Sequence, residues 1–187
     1  SLPMYNCIGN HDVWIVNDIQ EKFRHREGKQ WAMQMLGLSE RYYSFEQSGW
    51  KFIALDSIGQ FSYELDDAQF SWLEQELAST TKSVCIFSHV PIISAASMMY
   101  AMERRGRSKK LIKEMHSDAK KLKDLFYKYS NVKLCLSGHV HYIDEVEYLG
   151  VKYMCNGSVA GNWWKGKLDE FPPAYAIIDL YNDGSSE

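Results

Sequence analysis

Two histidines separated by one residue, His139 and His141, follow a short apolar run at residues 132–136. A run of this kind, ended by Ser-Gly, predicts a buried strand that leaves the sheet into a loop. In extended backbone, side chains two residues apart lie on the same side of the chain, so both imidazoles would face one region. Imidazole nitrogens are good ligands for transition metals. An ordinary pair of loop histidines is the alternative.

A second candidate segment is Asn10-His11-Asp12, which follows the apolar residues 4–8 and a turn at Gly9. The amide oxygen of Asn10 can bind a metal, His11 can donate a proton, and Asp12 can fix the tautomer of that imidazole. The alternative is an Asn/Asp-rich turn that caps the next helix.

The third segment is the predicted strand at residues 83–88, which runs into His89. Pro91 keeps the preceding backbone extended, so His89 is expected at the end of the strand. In α/β sheets, sites form beyond the carboxyl ends of the strands. Three strands that end in ligand-type residues therefore predict one shared metal site.

The elements that would position these residues follow from periodicity. Helical spacing covers residues 17–36, 66–79 and 111–129, hairpins are predicted at 42–56 and 143–155, and a last strand at 174–180. Residues 94–107 are expected to form a mobile loop, and His25 and His116 are expected at the surface. The four cysteines are predicted to be buried free thiols because each lies in an apolar run. They are Cys7, Cys85, Cys135 and Cys155.

Composition limits the possible function. With 187 residues, 45% hydrophobic and 24% charged, residues 1–187 are expected to form a single α/β domain. The net charge of −3 counts against a nucleic-acid binder, and no apolar run has the length of a membrane span.

The three motifs Gly-Asn-His-Asp, Ser-His-Val-Pro and Gly-His-Val-His occur in the order that is found in calcineurin-like metallophosphoesterases, and the chain resembles that family. The helix that carries Gln69, Trp72 and Leu73 is also similar. The resemblance implies an α/β/β/α sandwich of two mixed sheets. It further implies a hydrolase for phosphomonoesters or phosphodiesters, with two divalent transition metals (Mn, Fe, Zn or Ni).

By the same resemblance, Asn10, His89 and His139 would bind one metal and His141 the other. His11 would stabilise the phosphoryl transition state or protonate the leaving oxygen, oriented by Asp12. Trp163 and Trp164 are candidates for binding a small phosphorylated substrate, or they simply cap the core.

The family's Asp-x-His and Gly-Asp motifs, which supply carboxylate ligands, do not occur before Asn10. We therefore expect a chain that lacks the first strands, has incomplete metal sites and weak or no activity, and can associate through an uncovered sheet edge. The alternatives are a non-catalytic interaction module on the same fold and, less in keeping with the charge, a nuclease. The sequence does not determine the cellular compartment of the protein.

Overall fold

One mixed sheet of six strands organises the described part of this computed structural model, which comprises residues 2–13, 26–103 and 114–187. The strand order is β1-β2-β3-β4-β6-β5; β2, β3, β4 and β6 are parallel, and the outer strands β1 and β5 are antiparallel to their neighbours. In chain order the elements are α1 (Arg26–Leu36), β1 (Tyr43–Gln47), β2 (Trp50–Leu55), α2 (Asp67–Ala78), β3 (Ser83–Ser88), α3 (Ala95–Glu103), α4 (Ala119–Lys128), β4 (Val132–Ser137), β5 (Ile143–Tyr148) and β6 (Val151–Asn156).

Both predicted hairpins are confirmed. Ser48 and Gly49 have φ values of 50° and 82°, and Leu149 and Gly150 have values of 54° and 79°. Two consecutive residues with positive φ form the tight turn whose twist matches that of paired strands. Each hairpin therefore closes on two residues and fixes the register of its two strands.

Helices α2 and α4 cover one face of the sheet. Leucine side chains at helical spacing, such as Leu73 and Leu77, are buried against strand residues such as Ile53 and Ile86. The parallel strands β2 and β3 are therefore apolar on this face. The polar loops that follow them both leave the sheet at the carboxyl ends of the strands. The predicted strand at residues 83–88 and the helix at 66–79 are confirmed.

The opposite face of the sheet carries Trp50, Cys85 and Leu134, against which Ile178 and Leu180 pack. The α/β fold class is confirmed. Where two sheets were expected, the described residues form one, because residues 174–180 make only an isolated bridge, Leu180 with Ser186.

The strand expected at residues 4–8 is also absent from the described structure. Side chains hold this segment instead of a backbone ladder: the Tyr5 ring stacks on Phe45 with centroids 3.6 Å apart, and the Tyr43 hydroxyl donates to the Asn6 carbonyl at 2.9 Å.

Two predictions about helices need correction. Residues 95–103 form helix α3 rather than a loop, because the Asp144 carboxylate, far away in sequence, accepts the Ala96 amide at 2.8 Å. The helix expected at 111–129 begins only at Ala119. The helix expected at 17–36 is observed from Arg26; residues 14–25, with His25, and 104–113 lie outside the described residues.

His116 is buried, not at the surface, with 2% of its area exposed. Its Nδ1 lies 2.9 Å from Asp118 Oδ1, and its amide donates to the Pro91 carbonyl at 2.9 Å. These contacts tie it to the loop after β3.

The cysteines are free thiols, as predicted. Cys85, Cys135 and Cys155 are buried in strands, whereas Cys7 is half-buried outside a strand. Burial raises the pKa of Cys85 to about 12, which keeps the thiol protonated. Within residues 2–13, 26–103 and 114–187, every helix is too short or too polar to cross a bilayer.

Candidate metal site at the strand ends

Three ligand-type side chains from distant segments meet at one edge of the sheet. His89 Nε2 lies 2.8 Å from Asn10 Oδ1 and 3.2 Å from His139 Nδ1. Asn10 is buried, and His89 and His139 are half-buried. Three predicted site residues are thus brought together by the ends of β3 and β4 and by the turn at Gly9.

The position of His89 is fixed from several directions. After β3 the Val90 amide donates to Ser57 Oγ at 3.1 Å, and the Gly138 amide donates to the His89 carbonyl at 3.0 Å. A Cβ at Gly9 would lie 3.0 Å from His89 Nδ1, so a larger residue at position 9 would push against the imidazole. Ser57, which sequence reasoning missed, is completely buried at this point.

The electrostatic environment keeps His89 neutral. Burial, followed by the nearby His139, His11 and His141, lowers the pKa of His89 to about 3. A neutral imidazole is the form that binds metal ions. His11 is exposed, but it is close enough to His89 to contribute to the lowering of the His89 pKa.

The backbone at the Gly-His-Val-His motif differs from the expectation. His139 and His141 have φ values of 64° and 60°, in the left-handed region, and not the extended backbone that would place both rings on one side. His139 turns toward His89, whereas His141 Nδ1 lies 2.6 Å from the Gly161 carbonyl. The Nδ1–H of His141 therefore donates to that carbonyl, and in the neutral ring the lone pair is on Nε2.

The other predicted residues lie around this centre. Asp12 Oδ2 accepts the Gly9 amide at 2.7 Å, so this carboxylate closes the turn. The Trp163 ring lies 5.1 Å from His141 between centroids and is half exposed. Trp164 has 80% of its area exposed.

Two contacts of His139 were not anticipated. Glu114 Oε2 lies 3.0 Å from His139 Nε2, and the Tyr63 ring contacts the imidazole edge-on with centroids 4.8 Å apart. No pattern in the sequence pointed to either residue, because both lie in irregular segments and not at strand ends.

The donor set suits a divalent transition metal. Ligand atoms about 2.0–2.2 Å from one ion are separated by about 3 Å, which matches the two distances at His89. The donors are two imidazole nitrogens and an amide oxygen. In the part of the chain that the structure covers, no three or more His, Cys, Asp or Glu side chains are grouped so that they could hold a metal.

Comparisons with known proteins show the family of the chain. Two curated relatives are 3′,5′-cyclic adenosine monophosphate phosphodiesterases CpdA, from Escherichia coli K12 and from Escherichia coli O157:H7. Each is 24% identical over 164 residues, which cover 82% of this chain and 54% of the relative. The chain thus spans about half the length of these relatives.

A crystal structure of a dimetal phosphatase from Danio rerio aligns with a TM-score of 0.48 and 14% identity, over 66% of this chain and 52% of that one. The family model of the calcineurin-like phosphoesterases matches residues 2–142, which include the Asn10, His89 and His139 segments. The chain belongs to the calcineurin-like phosphoesterase family.

Proposed function

We propose that this chain carries the metal-binding part of a metal-dependent phosphoester hydrolase, within a single domain. The observation that supports the proposal best is the approach of Asn10 Oδ1 and His139 Nδ1 to His89 Nε2. These three residues would hold one divalent transition metal, such as Mn, Fe, Zn or Ni. His141, through Nε2, would serve a second ion.

When bound, such ions neutralise phosphate charge and polarise the phosphoryl group. The residues of the chain have separate tasks. His11, exposed beside His89, would donate a proton to the leaving oxygen, a role worth about 10²–10⁴-fold in rate. Asp12 would hold the Gly9 turn, which keeps the space for the His89 ring.

The proposed substrate is a small phosphorylated molecule, and the name of the CpdA relatives suggests a phosphodiester of a nucleotide. Trp163 supports this class, because its half-exposed ring beside His141 offers a stacking surface for a base. Trp164, more exposed, is the second candidate for contact with the substrate.

The described donors are all neutral, and this has a consequence for affinity. Asp12 is engaged with the Gly9 amide, and Glu114 faces the far side of the His139 ring. No carboxylate among the described residues therefore joins Asn10, His89 and His139 to offset the charge of a dication. We propose that the 187-residue chain binds metal weakly and turns over slowly by itself.

The test is metal binding and hydrolysis by this chain and by the complete product of its gene. Binding of Mn²⁺ is followed by calorimetry, and hydrolysis by release of 4-nitrophenol from the mono- and bis-esters of phosphate and by loss of cyclic AMP. We expect Mn²⁺-dependent hydrolysis that His89→Ala abolishes and Asn182→Ala, at an exposed asparagine, leaves unchanged. A protein that binds no metal and hydrolyses none of these esters would instead be an interaction module.

A further inference from the structure

Glu114 lies on the opposite side of the His139 ring from the candidate metal site. Its Oε2 is 3.0 Å from His139 Nε2, while His139 Nδ1 is 3.2 Å from His89 Nε2. The His139 side chain is 7% exposed and that of Glu114 66%. One ring nitrogen thus faces a carboxylate at the surface, and the other faces the donor atoms of Asn10 and His89.

The segment of residues 114–118 is anchored to the loops around the site. The His116 amide donates to the Pro91 carbonyl at 2.9 Å, and the Ser117 amide donates to the Tyr63 carbonyl at 2.8 Å. Asp118 Oδ2 accepts the Leu65 amide at 3.0 Å. These bonds fix the backbone next to Glu114 against the same loops that carry His89 and Tyr63.

A carboxylate can only accept a hydrogen bond, so of the two neutral tautomers it favours the one whose proton is on Nε2. The lone pair of His139 is then on Nδ1, toward His89. Tyr63 contacts the ring edge-on and restricts its rotation. The left-handed backbone of His139 presents the ring in this orientation.

From this geometry we infer that Glu114 is a positioning residue, which fixes the tautomer and orientation of His139 so that Nδ1 can bind a metal. The inference rests on the proposed function for the identity of the ligand, but the tautomer is a property of the metal-free protein. Removal of a carboxylate that is hydrogen-bonded to a metal-binding histidine typically weakens metal binding by about 10–100-fold.

The experiment compares the variants Glu114→Ala and Glu114→Gln with the control Glu46→Gln. Glu46 lies on β1, and its half-exposed carboxylate forms an ion pair with Lys82. Two-bond ¹⁵N correlation spectra of the metal-free proteins at about pH 8, above the ordinary pKa of histidine, identify which ring nitrogens of His139 carry a proton. Co²⁺ titrations followed by visible absorption give the affinity. Thermal unfolding checks that each variant folds.

In the wild type we expect the Nε2–H tautomer. Glu114→Ala should give a mixture of tautomers and weaken Co²⁺ binding by about 10-fold or more. Glu114→Gln should keep the tautomer, because its amide oxygen also accepts a hydrogen bond, and Glu46→Gln should change neither property.

An unchanged His139 tautomer in Glu114→Ala would overturn the inference. The variant His139→Ala tests the metal site itself: Co²⁺ binding as tight as that of the wild type would overturn the proposed metal site. The tautomer spectra would still show whether Glu114 positions the His139 ring, so failure of the inference and failure of the proposed function are distinguishable.

Discussion

Asn10 Oδ1 and His89 Nε2 lie 2.8 Å apart although 79 residues separate them in the chain. The turn after Gly9 supplies one partner and the end of β3 supplies the other. For the proposed shared cation, a pair held this closely needs little reorganisation on binding.

Replacement of Asn10 by alanine tests this arrangement. Asn10→Ala removes the only oxygen among the three proposed donors, and we expect it to weaken Mn²⁺ binding by at least about 10-fold, or roughly 1.4 kcal/mol. Calorimetric titration measures the affinity, with Asn182→Ala as the control. Equal affinities of wild type and Asn10→Ala would exclude Asn10 as a ligand.

The carbonyl of Gly161 gives a second prediction. Gly161 has a φ of 52°, and a Cβ there would lie 2.3 Å from the Gly166 carbonyl oxygen, so Gly161→Ala must distort the loop. We expect the distortion to weaken the hydrogen bond from His141 Nδ1 and to lower hydrolytic turnover at saturating substrate.

The matched control is Gly150→Ala, in the turn between β5 and β6. Gly150 also has a positive φ, of 79°, but a Cβ there meets no atom within 4 Å, so this substitution should leave turnover close to that of the wild type. A Gly161→Ala protein with wild-type turnover would show that the carbonyl has no role in positioning His141.

Replacement of Gln69 is expected to lower the stability of the fold. Its side chain accepts the Asp56 amide at 2.9 Å and donates to the Asp56 carbonyl at 3.0 Å, and the residue is completely buried. Gln69→Leu leaves both backbone groups without partners, at a cost of about 2–4 kcal/mol in the free energy of unfolding. Urea denaturation measures it, and Gln75→Leu, at an exposed position of the same helix, is expected to have little effect.

The stability of the fold is expected to depend on pH through the ionisation of Asp66. Hydrogen bonding by the Gln69 amide and the nearby Arg41 hold the pKa of the Asp66 carboxyl below its usual range, against the opposing effect of partial burial. A carboxyl whose pKa is lower in the folded state stabilises the fold above its unfolded pKa of about 3.9. That stabilisation is lost as the pH falls through the folded value.

Asp66→Asn keeps a side chain that can cap α2 but removes the charge. Its melting temperature should be lower than that of the wild type above about pH 5, and the difference should shrink as the pH falls below about 4. Asp67→Asn, at a fully exposed carboxylate, serves as the control. A difference that does not change between pH 3 and 6, or about that range, would contradict the prediction.

The predictable parts of this protein are those that local chemistry determines. Apolar runs identified β3 and β4, and Ser48-Gly49 identified the first hairpin turn. The ends of β3 and β4 predicted that His89 and His139 lie close together, because the carboxyl ends of parallel strands converge. Asn10 joins them although the strand expected before it is absent from the described structure.

The remaining features depend on contacts that no local pattern contains. Helix α3 is capped by Asp144, 48 residues from its partner Ala96, and Glu114 reaches His139 from an irregular segment. The left-handed backbone of His139 and His141 was also not predictable, since non-glycine residues rarely adopt it.

The strand order has a consequence for the folding kinetics. The two hairpins pair neighbouring residues and can form within microseconds, whereas β2 with β3, and β3 with β4, pair segments separated by about thirty to fifty residues. We expect Asn10, His89 and His139 to meet only after these slower steps. Added metal should then slow unfolding and leave the refolding rate almost unchanged, because the three proposed ligands come together only after the transition state.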